Sequence, residues 1–172
     1  VCCCTENLLM CPGQGSITLH STARFIAAGL GSGWLPMAPG SWGSLAALMP
    51  GWWILRETGT GGLLAAVAIL LVIACWACVE ALRGSADTDP GWIVVDEWLG
   101  QWLCVALLSM TVEVSPGWLA GAFVMFRCLD VLKPWPISAV EHWGPPWWSI
   151  QADDLVAGLM AGTLLMGISV WL

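Results

Sequence analysis

Seven ionisable side chains interrupt otherwise apolar stretches of this chain: Asp96, Glu97, Asp130, Asp153 and Asp154, with Arg127 and Lys133 beside them. A bare carboxylate at membrane depth is costly, and five acids brought together repel one another unless they are protonated or share a cation. Oxygen ligands in that number suit a hard divalent ion, most simply Mg²⁺. Consecutive helical residues point about 100° apart, so each acidic pair can aim one carboxylate at an ion and leave the other as base or support. In DEWLG (96–100) and DDLVAG (153–158) a small residue follows an acid by four positions, on the same helical face. Gly100, Ala157 and Gly158 then permit two helices to approach closely enough to share an ion. Such a site suits a phosphate-bearing ligand at the level of lipid headgroups. The ion would polarise phosphoryl oxygens and acidify a water for in-line attack. Arg127 and Lys133 would take up charge on the remaining oxygens. Attack by water is the favoured route, and an aspartyl-phosphate route stays open because a carboxylate can also be a nucleophile.

Each group also has a plainer explanation. Asp96, Asp153 and Asp154 could be interfacial acids at helix N-termini, where the dipole favours anions. That account fails for Asp130, which is expected near a helix C-terminus, but an Arg127–Asp130 ion pair one turn apart would serve it. Lys133 could simply reach out to the headgroups. The loop GLGSGWLPMAPGSWG (29–43) offers many unshielded amides and could cradle phosphate, with Gly31, Ser32, Gly33, Gly40 and Ser41 as candidates. Its alternative is an ordinary loop at a membrane surface.

What must position these residues follows from composition. The chain has 172 residues, 58% hydrophobic and 10% charged, with 14 Trp and no Tyr. Soluble domains carry about 25% charged residues, and so apolar a chain is not disordered. The formal net charge of −7 excludes nucleic-acid binding, which needs clustered cations. The expected fold is all-α, a compact membrane bundle of four or five apolar helices. Positions 1–22 are expected as a polar tail and 23–172 as a single domain. A short apolar segment is expected at 44–55, and full spans at 63–82, 93–112, 118–132 and 155–172. Pro134 and Pro136 end the third of these spans. The 134–152 loop, with Trp135, Trp143, Trp147 and Trp148, suits the bilayer interface.

Following the chain back and forth gathers nearly every ionisable group of the apolar part at one face. That face holds the 29–43 loop, the 83–95 loop, the end of the 118–132 span and the start of the last span. It also carries Arg24, Arg83, Arg127 and Lys133 against Arg56 opposite, so the positive-inside tendency makes it cytoplasmic. The eight Cys (2, 3, 4, 11, 75, 78, 104 and 128) lack the spacing of a disulfide framework. Cys75 and Cys78 form a C-x-x-C inside an apolar run and are expected to pack. The Cys2–Cys4 cluster has no zinc-type partner pair. No cleavable leader pattern opens the chain.

Four segments then resemble one family in order and spacing. They are GLGSGWLPMAPGSWGSLAA (29–47), DPGWIVVDEWLGQW (89–102), FRCLDVLKPWPIS (126–138) and DDLVAG (153–158). They are similar to the motifs of phosphatidylglycerophosphatase A, and with their gaps the likeness covers about residues 25–165. The resemblance implies a Mg²⁺-dependent inner-membrane enzyme that hydrolyses phosphatidylglycerophosphate to phosphatidylglycerol and phosphate. It implies that Asp89, Asp96, Glu97, Asp130, Asp153 and Asp154 include the metal-binding and catalytic acids, with Arg127 and Lys133 as phosphate contacts. Both histidines, His20 and His142, lie outside the matched motifs. The chain departs from the family at 145–151, where Pro145-Pro146-Trp147-Trp148-Ser149-Ile150-Gln151 replaces a Gly-rich stretch. It departs again at Leu35, where Ser is common. Two rivals stand beside an active enzyme: a cation-binding membrane protein, which predicts acids spread through the membrane depth, and a relative that binds anionic lipid without turnover. The G-x-x-x-G spacings at 117–121 and 158–162 permit close helix contacts, within one chain or in a homo-oligomer.

Overall fold

The computed structural model describes residues 14–141 and 143–171, and every regular element among them is helical. In chain order these are α1 (Gln14–Ala27), a 3-10 turn (Ser32–Trp34), α2 (Pro39–Ala81), α3 (Val95–Leu108), α4 (Pro116–Leu132), the short α5 (Ile137–Val140) and α6 (Pro146–Trp171). Cys2–Cys4, Cys11 and His142 lie outside the described residues.

The apolar segments expected at 44–55 and 63–82 fall in one element, α2. Gly59 breaks it with φ 71° and ψ −176°, a backbone state that a side chain would oppose. The first limb places Gly40 beside Glu97 and the Trp52 indole on the Val114 carbonyl. The second starts with Thr60 on Ser109 and returns to set Cys78 against Gln151. The chain therefore reverses at Gly59, as an out-and-back path requires.

Helix α3 is the centre of the bundle. Leu99, Gln101, Cys104, Ala106 and Leu108 have no exposure, and α2 and α6 flank it. A helix apolar all round is one that is buried. Its contact with α6 is backbone on backbone: a Cβ on Gly158 would strike the Gly100 carbonyl, and one on Gly100 would strike the Phe126 ring and the Asp154 carbonyl. Gly158 and Gly162 are thus used within the chain.

Two helical elements, not four or five, are long and apolar enough to cross a membrane among the described residues: Pro39–Ala81, taken over both limbs on either side of Gly59, and Pro146–Trp171. Helix α3 has 14 residues and α4 has 17, and 14 residues rise only about 21 Å against a hydrocarbon core of about 30 Å. The apolarity of 93–112 reflects burial in the bundle rather than contact with lipid. On the outside, Met49, Trp53, Ile69, Val72, Val124, Leu164 and Val170 are exposed, which is the surface that lipid rather than water would cover.

Two boundaries move. The expected tail is helical from Gln14, because Ala23 and Ala27 are buried and His20 Nδ1 meets the Glu80 carbonyl at 3.0 Å. The last helix starts at Pro146, so 146–152 is the beginning of α6 rather than loop. Proline is well suited to a first helical turn, where its missing N–H has no partner to lose.

Candidate active site

The moved boundary changes the reading of Asp153 and Asp154. They are the eighth and ninth residues of α6, 8% and 3% exposed, so the dipole at a helix N-terminus does not explain them. Asp96 and Glu97 do lie in the first turn of α3, where the dipole favours their charge. Helix α4 is entered through Ser115, whose Oγ accepts from the Trp118 amide, and through Pro116. It ends at Lys133, with φ 42°, before Pro134. This register sets Arg127, Asp130 and Lys133 one turn apart at the same end of the bundle as the two acidic pairs.

Asp89, Asp96, Glu97, Asp130, Lys133, Asp153 and Asp154 line one cavity of about 160 Å³, together with Gly91, Ile93 and Ile150. Acids far apart in the chain are therefore collected at one end rather than spread along the bundle, against the expectation for a cation-conducting protein. Arg127 ties α3 to α4: its Nη1 is 2.6 Å from Asp130 Oδ2 and 3.3 Å from Glu97 Oε1. The Arg127–Asp130 pair exists, then, but as part of a larger cluster. Lys133 does not reach out to headgroups. Its Nζ donates to Asp153 Oδ2 at 2.8 Å and to Glu141 Oε1 at 2.7 Å. Burial would lower the Lys133 ammonium, but those two carboxylates outweigh it and hold it above the usual lysine range. At the rim, partial desolvation raises the Asp89 carboxyl, with Lys133 opposing and Asp87 and Glu141 adding to the rise.

Several polar atoms of the cluster are buried without a hydrogen-bond partner: Asp96 Oδ1, Glu97 Oε2, Asp154 Oδ2 and Arg127 Nε. Seven carboxylates, Glu141 included, face two cations. Among the described residues no group of three or more His, Cys, Asp or Glu side chains is arranged to hold a metal ion as the side chains stand. The donors present nevertheless fit a hard divalent ion, since they are all oxygen, in negative excess and partly unpartnered.

The 29–43 loop divides. Gly31, Ser32 and Gly33 lie away from the acids: the Ser32 hydroxyl turns back to the Gly29 carbonyl at 2.8 Å, and Gly33 is pressed against the Trp92 carbonyl. Gly40 does reach the cluster, since a Cβ there would strike the Glu97 carboxylate and crowd the Arg127 guanidinium. Ser41 follows it in the first turn of α2 but does not line the cavity. Glu141 escapes a reading of the sequence because it lies across Pro134 and Pro136, where helical spacing carries no information. Gln101 and Gln151, both fully buried, escaped it too. A long polar side chain in an apolar run was the only signal.

The family model of phosphatidylglycerophosphatase A matches residues 25–169, a span that contains every carboxylate and cation of this cluster. The chain belongs to the phosphatidylglycerophosphatase A family. It is similar to the phosphatidylglycerophosphatase A of Haemophilus influenzae, 31% identical over 156 residues, covering 91% of this chain and 94% of that protein. The Escherichia coli protein of the same name is 34% identical over 152 residues, covering 88% and 86%. A Bacteroides thetaiotaomicron relative is 29% identical over 149 residues, covering 85% and 92%, and carries the provisional name of a phosphatidylinositol-3-phosphatase. No solved structure matches the chain. As a phosphatidylglycerophosphatase A family member the chain is a phosphatase, and its two long apolar helices accord with membrane association.

Proposed function

We propose that this chain hydrolyses the terminal phosphate monoester of phosphatidylglycerophosphate, giving phosphatidylglycerol and phosphate, with carboxylate-held Mg²⁺ at the cytoplasmic face of a bacterial inner membrane. The observation that carries the reading is the set of buried, unpartnered oxygens of Asp96, Glu97 and Asp154 around a cavity shared with Lys133, in a chain of this family. Asp96, Glu97, Asp130 and Asp154 would hold the ion, with Asp89 and Asp153 at the edge of the set. Bound there, it supplies Lewis-acid polarisation of the phosphoryl oxygens.

The chain's own groups do the rest. Arg127, held by Asp130 and Glu97, and Lys133, held by Asp153 and Glu141, offset charge on the phosphoryl oxygens. A carboxylate left free of the ion takes a proton from the attacking water. The water oxygen bonds to phosphorus, the ester P–O bond breaks, and the departing glycerol oxygen takes up the proton that the carboxylate accepted and leaves as the alcohol. Orientation rests on Arg24 and Arg83 at the cluster's end against Arg56 beside the opposite turn.

The test is phosphate release from phosphatidylglycerophosphate in mixed micelles by purified full-length protein, with Mg²⁺, with a chelator, and for Asp130→Asn. Phosphatidylinositol 3-phosphate serves as a competing lipid. The reading expects release that requires both Mg²⁺ and Asp130 and that favours phosphatidylglycerophosphate. Release indifferent to metal and to Asp130 overturns the mechanism. No release from either lipid overturns the activity and leaves a relative without turnover.

A further inference from the structure

The ammonium of Lys133 has three N–H donors, and two are already committed. One goes to Asp153 on α6 and the other to Glu141, the residue that caps α5. These two acceptors come from different elements and lie 20 and 8 residues from the lysine. Two hydrogen bonds on a tetrahedral nitrogen set the direction of the third. Lys133 lines the acidic cavity, so that third donor is the one left for a ligand inside it. Without Glu141, Lys133 would have Asp153 as its one charged anchor, and a flexible four-carbon stem pivots about a single contact.

Glu141 itself is not part of the acidic cavity. It lines a neighbouring cavity of about 300 Å³, together with Thr88, Asp89, Ser149 and Asp153, and its side chain is 38% exposed. It therefore touches the reaction centre through Lys133. We infer that Glu141 is a positioning residue, which with Asp153 fixes the Lys133 ammonium so that its remaining N–H meets a phosphoryl oxygen of the substrate. This rests on the phosphatase reading above and adds a residue that the matched motifs do not contain. A lysine that grips a phosphate in both ground and transition states acts on binding, so its misplacement shows in KM more than in kcat.

Two measurements test it, one of them independent of turnover. Lys133 is the one lysine in the sequence, so peptide-resolved labelling by an amine-reactive reagent reports on its tether. Glu141→Ala is expected to speed that labelling several-fold, and Glu141→Gln, which keeps an acceptor but loses the charge, to speed it less. An unchanged rate in Glu141→Ala overturns the proposal even if the protein proves to have another substrate. The second measurement is a double-mutant cycle with phosphatidylglycerophosphate. Glu141→Ala should lower kcat/KM about tenfold, chiefly through KM, with Glu141→Gln recovering most of it. In a Lys133→Ala background the same change should cost almost nothing. An equal loss in both backgrounds shows that Glu141 acts independently of Lys133 and overturns the proposal. Absence of native turnover with faster labelling of Glu141→Ala separates a failed substrate assignment from a failed tether.

Discussion

The two ends of the bundle treat their polar groups in opposite ways. Opposite the acids, Thr60 and Ser109 share a hydrogen bond of 2.9 Å, Thr111 and Ser169 one of 2.7 Å, and the Trp52 indole caps the Val114 carbonyl at 3.0 Å. The Ser109 and Thr111 hydroxyls also bond back to their own helix. At the acidic end, Asp96, Glu97, Asp154 and Arg127 keep buried atoms with no partner at all. A buried unpaired polar atom costs about 1–3 kcal/mol, more when charged, so folding alone does not explain that pattern. Closed pairs at one end hold helices together. The open valences at the other are the ones that the proposed ion and phosphate would satisfy.

The contrast is broken most directly by neutralising an open oxygen. Asp154→Asn and Asp96→Asn should each lower kcat for phosphate release about a thousandfold, while the protein stays folded by circular dichroism. Removing a charge from a repelling cluster relieves strain, so thermal stability without Mg²⁺ should stay level or rise. A variant retaining a third of native turnover would show that the open oxygen is structural. Next in size is Arg127→Lys, expected to cost about 10- to 100-fold. Both contacts run through the one Nη1, so a lysine loses the rest of the fork, the Nη2 beside Gly40 and the buried Nε. Near-native kinetics in this variant would reduce Arg127 to a simple counter-charge.

How much of this was legible beforehand follows the same division. Asp96, Glu97, Asp130, Asp153 and Asp154 were readable from the residues themselves, because a carboxylate in an apolar run is conspicuous, whereas Asp89, in a polar loop, entered only through the family resemblance. The number of membrane spans was not readable, because α3 has the composition of a lipid-facing helix while being enclosed by α2 and α6. Hydropathy reports the absence of water and does not say whether protein or lipid replaces it. The start of α6 was misplaced because Pro145 and Pro146 read as loop, although proline is at home in a first helical turn. Gly31, Ser32 and Gly33 look like a phosphate cradle from composition, yet Gly31 lies against Phe25 and Trp34, Ser32 bonds back to Gly29, and Gly33 seats Trp92 and Val94. In that loop Gly40 and Gly43 approach the acids, both against the Glu97 carboxylate, and nothing in the run of glycines marks them out.

A packing change probes what brings the two halves of the site together. Gly158→Ala forces a methyl group into the Gly100 carbonyl, so α6 must shift away from α3, carrying Asp153 and Asp154 from Asp96 and Glu97. Overpacking of this kind costs about 1–3 kcal/mol, so the melting temperature and kcat should fall together. Gly121→Ala, which meets open space on α4, is the matched control and should change neither within error. If Gly158→Ala melts lower but turns over normally, the spacing of α3 and α6 does not set the geometry of the acids.

The smallest effect belongs to the closed end. Thr60→Val keeps the size of the side chain and removes its half of the bond to Ser109. Ser109 Oγ retains the Ala106 carbonyl at 2.6 Å, so no buried donor is stranded. The loss should stay below about 1 kcal/mol. Turnover should remain within about twofold of native, because the change lies at the other end of α3 from Asp96. A tenfold fall in kcat with unchanged stability would mean that the hydrogen bond beside Gly59 controls the acidic cavity through the length of the bundle. The division between a structural end and a chemical end would then give way to a single coupled unit.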